Sequence, residues 1–386
     1  MKIGYLKDDY PERRCIINKI GGEETKYVFC CEKLAKTRIL GKVRKIFGGR
    51  DLGWDALYYN PILMPYVDIV HTFNHVCETK KPWTVTFEST IPRTNQTVKR
   101  IWECDDSILL NPDEITRKSL DALMKPNCIS LIALSDSARR IQLEMLRHVD
   151  YVGVEALERK VVVIHPPQNV LVDEGWVHQK YRNMNGRIDF LFIGRDFFRK
   201  GGAQMVEALR GYVNSYDIHL TIIGSLSYEN RCAENEWAGI LSNEPWITWY
   251  ETLPNDEVLK LCKKAHVGCL PTLQDTYGYS ILEMQACGCP VITTNIRAIP
   301  EINDDSCGWL VPLKKDTVGG EAIHYTDEDK RQREEELLKG LTQCMIEVLT
   351  HPEQIEQKAL NSLKRIKTFH DPQVYAAKIR EVYGKA

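Results

Sequence analysis

Residues 271–301, PTLQDTYGYSILEMQACGCPVITTNIRAIPE, place a carboxylate, a glycine turn and a short helix directly after an apolar strand end. Asp275 and Glu283 flank Tyr277-Gly278-Tyr279-Ser280, and the chemistry this spacing suits is the holding of an anion. Gly278 permits a sharp turn, Ser280-Ile281-Leu282-Glu283 has the form of a capping box that starts a helix, and Gly288 and Pro290 stop it. A helix starting beyond the carboxyl end of a parallel strand turns free N–H groups and a positive dipole end toward the crevice where doubly wound sheets bind ligands. A second run, LFIGRDFFRKGG at 191–202, ends a strand at Gly194 and sets Arg195, Arg199 and Lys200 just before Gly201-Gly202 and another helix. Arg supplies a planar fork and Lys a point charge, a pairing suited to the two phosphates of a departing diphosphate. The bland alternatives are solvated side chains in a βα loop for Arg199 and Lys200, and a carboxylate spent on its own helix end for Glu283. Neither half opens on G-x-G-x-x-G and no G-x-x-x-x-G-K-[ST] occurs, which argues against a dinucleotide oxidoreductase and a P-loop.

The elements that must carry these residues alternate strand and helix. Ile3–Leu6, Lys26–Cys31, Asp68–Phe73, Trp83–Glu88, Cys128–Ser135 and Val161–His165 read as strands of the first half, with helices at 112–124 and 136–148. Pro112-Asp113-Glu114 is expected in the first turn of one helix, and Ser135 is expected to cap the other. After His165-Pro166-Pro167 the polar stretch 168–187 reads as an interdomain linker. The second half resumes with strands at Ile188–Gly194, His219–Gly224, Ile247–Glu251, Val267–Thr272, Val291–Thr294 and Gly308–Pro312. Helices are expected near 201–212, 228–242, 254–264, 280–287 and 329–350, and an amphipathic helix at Pro372–Tyr383. The fold class is therefore α/β, with two Rossmann-like doubly wound domains facing a cleft. We expect an N-terminal domain at 1–168, a linker at 169–187, a C-terminal domain at 188–371, and a last helix at 372–386 that can pack back on the N-terminal domain.

The totals exclude several classes of function. At 386 residues the chain is long enough for two cores, and a net charge of −2 with 27% charged residues excludes a general nucleic-acid binder. The N-terminus MKIGYLKDDY passes from a short strand straight to charge, so no leader is expected, and thirteen mostly isolated cysteines suit a reducing, cytoplasmic setting. Cys287-x-Cys289 and the adjacent Cys30–Cys31 lack a second pair at zinc spacing, so no metal is expected at either. The segment KLAKTRILGKVRKIFGGR, 33–50, carries seven basic residues and no acid, with Ile39, Leu40, Val43 and Phe47 gathered on one side at helical spacing. It reads as a surface helix over the sheet, or as a peripheral contact with an anionic membrane face.

Asp275-x7-Glu283 within this stretch resembles the E-x7-E signature of retaining GT-B glycosyltransferases, glycosyltransferase family 4 (glycosyl transferases group 1). The likeness extends through F-I-G-R-D-F-F-R-K-G-G at 192–202, L-T-I-I-G-S at 220–225, A-I-P-E at 298–301 and G-W-L-V-P at 308–312. In the first half it touches D-I-V-H-T-F-N-H at 68–75 and T-V-T-F-E at 84–88. The resemblance implies a nucleotide-sugar donor, UDP-, GDP-, ADP- or dTDP-linked, and a glycan, lipid-linked or small-molecule acceptor, with no cofactor or metal required. It matches Arg195 and Lys200 to the basic pair on the donor diphosphate, and Tyr277, Gly278, Tyr279 and Ser280 to the turn whose amides assist, beside Gly194 and Arg199. Glu283 matches the acid on the nucleotide ribose. Asp275 stands where the family has a glutamate near the donor sugar, one methylene short of it. Glu88 is the first acceptor-side candidate, with Asn74 and His75 as rivals. The alternatives are a catalytically idle binding protein of the same shape, or a sugar-nucleotide epimerase.

Overall fold

The structure, a computed structural model, describes residues 1–22, 24–30, 53–59, 65–103, 109–227, 231–315 and 326–386. The basic stretch 33–50, with its expected membrane contact, Cys31, and the first residues of the helix expected from 228 lie outside the described residues. Two compact units divide the chain: Met1–Pro167 with Pro372–Ala386, and Gln168–Asp371.

The first unit runs β1 (Lys2–Tyr5), β2 (Lys26–Phe29), β3 (Tyr58–Tyr59), β4 (Ile69–Phe73), β5 (Val76–Cys77), β6 (Trp83–Phe87), β7 (Cys128–Ala133) and β8 (Val161–Val163). Six of these form a parallel sheet in the order β2-β1-β4-β6-β7-β8, and β3 pairs with β5 apart from it. Successive side chains of a strand face opposite ways, so β7 sends Leu131 and Ala133 into one core and Ile132 into the other. The second core is closed by the helix Pro372–Tyr383, whose Tyr375, Ile379 and Tyr383 are buried against Ile3 and Ile69. Tyr383 also reaches His71 Nδ1 at 2.7 Å, while His71 Nε2 meets Thr86 Oγ1 at 2.7 Å. Burial pushes that imidazole down to about 3, so it stays neutral.

Two helix starts in this unit obey capping chemistry. Ser135 Oγ accepts from Ala138 N at 3.0 Å ahead of Asp136–Arg147. Asp113 is itself the cap of Glu114–Met124, accepting from Thr116 N at 2.8 Å, rather than a first-turn residue. The short helix Tyr10–Cys15, which sequence periodicity did not reveal, buries Glu12. Burial raises the Glu12 carboxyl from 4.5 to about 7, with nearby Asp9 and Asp8 adding and Lys7 opposing. The unfolded chain releases this proton earlier than the folded one, so Glu12 destabilises progressively as pH rises from the ordinary carboxyl range through about 7. Above that range the cost reaches about 3 kcal/mol. Glu12→Gln should therefore raise the melting midpoint by several degrees at about pH 8 and leave it unchanged at about pH 4. Equal shifts at both pH values in a thermal scan would remove ionisation as the cause.

The second unit contains β9 (Ile188–Asp196), β10 (Ile218–Ser225), β11 (Ile247–Tyr250), β12 (Val267–Leu270), β13 (Val291–Thr294) and β14 (Gly308–Val311). They form one parallel sheet in the order β11-β10-β9-β12-β13-β14. Strand order reverses between β9 and β12, and the loops leaving the carboxyl ends of these neighbours are 197–201 and 271–278. That reversal is where a doubly wound sheet opens a crevice for ligands.

Two expectations need correction here. Much of the linker expected at 169–187 is the helix Glu174–Arg182, capped by Asp173, with Val177 and Tyr181 buried; Tyr181 Oη donates to the carbonyl of His266 at 2.8 Å. This stretch belongs to the second unit, because a narrow two-residue apolar face suffices to seat a short helix. The second correction is the 17-residue helix Glu353–Phe369, absent from the sequence reading, which buries Ile355, Ala359, Leu363 and Ile366.

Candidate functional site in the second unit

Glycines bring the two loops of the second unit together. Gly201, at φ +78°, ends the first loop and opens the helix Gly202–Arg210; a Cβ there would lie 2.2 Å from the carbonyl oxygen of Pro271. A Cβ on Gly194 would lie 2.7 Å from Lys200 Cβ, so only glycine lets the lysine stem cross the strand end. Leu273 N donates to the carbonyl of Arg199 at 3.0 Å, which fastens one loop to the other.

Lys200 and Asp275, far apart in sequence, form an ion pair at 2.7 Å, with side chains 14% and 17% exposed. Lys200 Nζ also donates to the carbonyl of Gln274 at 2.9 Å. The other Asp275 oxygen accepts from the amides of Tyr277 and Gly278 at 3.2 and 3.1 Å, so this carboxylate ties the turn as well as the lysine. Arg199 Nε pairs with buried Asp196 at 3.1 Å, and Arg195 is exposed at the end of β9. Asp196 and Gln274 were missed in the sequence; the G-R-D run, with an acid three residues before Arg199, was the available signal.

The turn itself differs from the expected capping box. Gly278, at φ +87°, is the N-cap of the helix Tyr279–Ala286, no side chain caps that end, and Ser280 lies inside the helix. Glu283 is buried one turn into it. A left-handed glycine stands at the N-cap, so Ser280 and Glu283 do not form the expected capping box. Tyr277 is buried with its ring 5.3 Å from that of Tyr279.

The acceptor-side candidates of the first unit also come together. Asn74, at φ +56° beyond β4, donates from Nδ2 to Glu88 at 3.2 Å and accepts from Glu88 N at 3.3 Å. Arg93, not singled out from the sequence, pairs with Glu88 at 2.6 Å. His75 is buried, its Nδ1 facing the Phe73 carbonyl, so Nδ1 carries the proton; Nε2 has no hydrogen-bond partner among the described residues. Burial, assisted by Lys7, holds this imidazole down at about 4 and therefore neutral.

Residues 177–336 match the family described as glycosyl transferases group 1. The chain is 24% identical over 201 residues to the capsular polysaccharide biosynthesis glycosyltransferase CapM of Staphylococcus aureus, covering 50% of this chain and 52% of that one. It is 27% identical over 171 residues to a D-inositol 3-phosphate glycosyltransferase of Paenarthrobacter aurescens, covering 41% and 40%. The chain thus spans about half the length, or less, of these curated relatives. Among solved structures, a glycosyltransferase from Rickettsia africae superposes with TM-score 0.61 at 14% identity over 100% of this chain and 98% of its own. Anabaena HepE in complex with UDP and glucose superposes with TM-score 0.60 at 12% identity over the whole of both chains. The fold class is thus α/β of the GT-B type, and residues 177–336, within the second unit, are similar to the glycosyl transferases group 1 family.

Proposed function

We propose that the chain is a retaining, metal-independent glycosyltransferase that moves a sugar from a nucleotide-sugar donor to a hydroxyl of a glycan, lipid-linked or small-molecule acceptor. The observation that carries this reading is the meeting of Lys200, Asp275 and the helix starting at Tyr279 at the strand-order reversal of the second sheet. An ammonium beside a helix N-terminus favours an anion, and a diphosphate is the anion a nucleotide sugar brings. Lys200 and Arg195 neutralise the leaving diphosphate, the Tyr277 to Ser280 turn adds backbone dipole, and Glu283 takes the ribose hydroxyls. Arg199, held by Asp196, keeps the basic loop in shape. Asp275 stands at the donor-sugar end, and an arriving diphosphate competes with it for the Lys200 ammonium.

In the retaining step the acceptor oxygen bonds to the anomeric carbon on the face that the diphosphate leaves. The anomeric C–O bond breaks with its electron pair going to the phosphate oxygen, and that oxygen receives the acceptor's proton. The protein's share is positioning and charge neutralisation, which needs no side-chain nucleophile. In the first unit, Glu88, Asn74 and neutral His75 take the acceptor side. No helix among the described residues is long and apolar enough to cross a membrane.

Thermal-shift titration with UDP, GDP, ADP, dTDP and their sugars tests the reading. A ligand at about 100 times its Kd stabilises the fold by about 2.7 kcal/mol, so one base family should raise the melting midpoint clearly. A flat response to every nucleotide and every nucleotide sugar sinks it, and a shift without nucleotide release in the presence of acceptors selects the idle binding protein.

A further inference from the structure

The second unit holds a cavity of about 710 Å³ at the amino ends of β9, β10 and β12, where Arg187, Asp217 and His266 each stand just before a strand. Lys200 and Asp275 lie beyond the carboxyl ends of β9 and β12, so the nine-residue length of β9 separates the two places. One wall of the cavity is the helix Glu174–Arg182. Its Trp176 is 45% exposed, and the indole Nε1 reaches the carbonyl of Lys263 at 3.5 Å, at the end of the helix Asn255–Lys264. Lys180 Nζ is already taken by the carbonyls of Ala265 and Gly288, at 3.0 and 2.6 Å, and Arg187 by Asp189 at 2.9 Å. Lys263 and Lys264 line the cavity with no ion pair among the described residues. Lysines in a last helical turn also offset the helix dipole, so these two alone assign nothing. His266 supplies an independent observation. It is 7% exposed, and its Nδ1 accepts from Asp189 N at 3.0 Å, so the proton of the neutral ring sits on Nε2. Burial holds this imidazole down at about 4, with Asp189 opposing and Lys180 and Arg187 assisting. Nε2–H makes no hydrogen bond among the described residues, and the ring lines the cavity, which leaves that donor for whatever enters.

We propose that this cavity binds a small phosphate monoester carried on a hydroxylated ring, at a site separate from the crevice at Lys200. The Lys263 and Lys264 ammonium groups suit a doubly charged head, and His266 Nε2–H adds a neutral donor to it. The exposed indole of Trp176 gives the ring an apolar face. Asp217, also on the lining, accepts from ring hydroxyls. A volume of about 710 Å³ lies within the range of small-molecule sites. A hexose phosphate and a nucleoside monophosphate share this chemistry, a phosphate head on a ring that bears hydroxyls. Every lining residue belongs to the second unit, so the site does not rest on the transferase reading.

The test is isothermal titration calorimetry on the full chain at constant ionic strength, with glucose 6-phosphate, AMP and inorganic phosphate as probes. Glucose 6-phosphate or AMP should bind, and the one that binds names the source as hexose or nucleoside. Lys263→Gln combined with Lys264→Gln should weaken it at least about tenfold, the effect of losing one hydrogen bond to a charged group. Trp176→Ala should weaken it to a similar degree, the loss typical of an anchoring aromatic contact. His266→Asn keeps an acceptor near Asp189 N while withdrawing the Nε2 donor, and should also weaken binding. Lys200→Ala should leave the affinity unchanged, because a monoester seated in the crevice would lose its cation there. Absence of binding by both monoesters, undiminished binding by a folded Lys263→Gln/Lys264→Gln variant, or binding lost in Lys200→Ala overturns the site. Inorganic phosphate that binds as tightly as the monoesters removes the ring from the contact and overturns it likewise.

Discussion

Lys200→Ala is expected to reduce kcat/KM for the nucleotide sugar by about a hundred- to a thousandfold, the loss typical of removing one charge-stabilising donor from a transition state. Lys200 is a large part of the local positive charge because Arg199 is drawn aside to Asp196, while Lys200 reaches the turn at Asp275 and Gln274. The fold should largely survive the change. Asp275 retains two backbone amides, at 3.2 and 3.1 Å, and keeps contact with solvent, so its carboxylate is not stranded in an apolar interior. Activity and melting midpoint measured on the same preparation therefore separate the roles. A drop in kcat/KM of less than about threefold removes Lys200 from the diphosphate. A large drop that follows the loss of folded protein makes it a loop tie only. The double change Lys200→Ala with Asp275→Asn should be no less stable than Lys200→Ala alone, since it also removes the unpaired charge.

Gly201→Ala carries the largest expected stability effect. Its φ of +78° disfavours any L side chain, and the added methyl would lie 2.2 Å from the Pro271 oxygen, a backbone atom that cannot swing away. Gly186 is a built-in control, at φ +83° with nothing within 4 Å of its would-be Cβ. Gly186→Ala should cost about 1 kcal/mol, the conformational part alone, and Gly201→Ala about 3 kcal/mol or more, the difference being the clash. Urea unfolding followed by tryptophan fluorescence measures both. Equal midpoints for the two variants would mean that the loops are not held together where Gly201 meets Pro271. Because that contact also sets the position of Lys200, a folded Gly201→Ala should lose turnover.

Much of this architecture is readable in the sequence for a plain reason. Parallel strands covered on both faces must be largely apolar, and runs such as Phe190–Ile193 and Val267–Leu270 announce themselves. What escapes is what depends on long-range partners or on ambiguous local codes. Ser280-x-x-Glu283 satisfies a capping pattern equally well inside a helix, and the left-handed Gly278 just before it decides the matter. Asp173 followed by Val177 and Tyr181 is a legible cap and stripe, but a stripe of two residues is easily taken for linker. The helix Glu353–Phe369 buries Lys358 and Ser362 among its apolar residues, and both bond to backbone carbonyls near β14, so hydropathy understates its inner face. The Lys200–Asp275 pair and the stacking of Arg93 on Trp54 join residues far apart in sequence, and no local spacing rule expresses either.

The helix Pro372–Tyr383 has a consequence for how the protein is made. Ile3, Ile69 and Ile132 emerge early from the ribosome, yet Tyr375, Ile379 and Tyr383, which cover them, are synthesised only after the whole second unit. The second unit is continuous in sequence and can close its core as it is translated. The first unit must instead wait, with Ile3, Ile69 and Ile132 uncovered by Tyr375, Ile379 and Tyr383, until this helix arrives. During synthesis that apolar face, rather than either finished unit, is where a chaperone would find its hold.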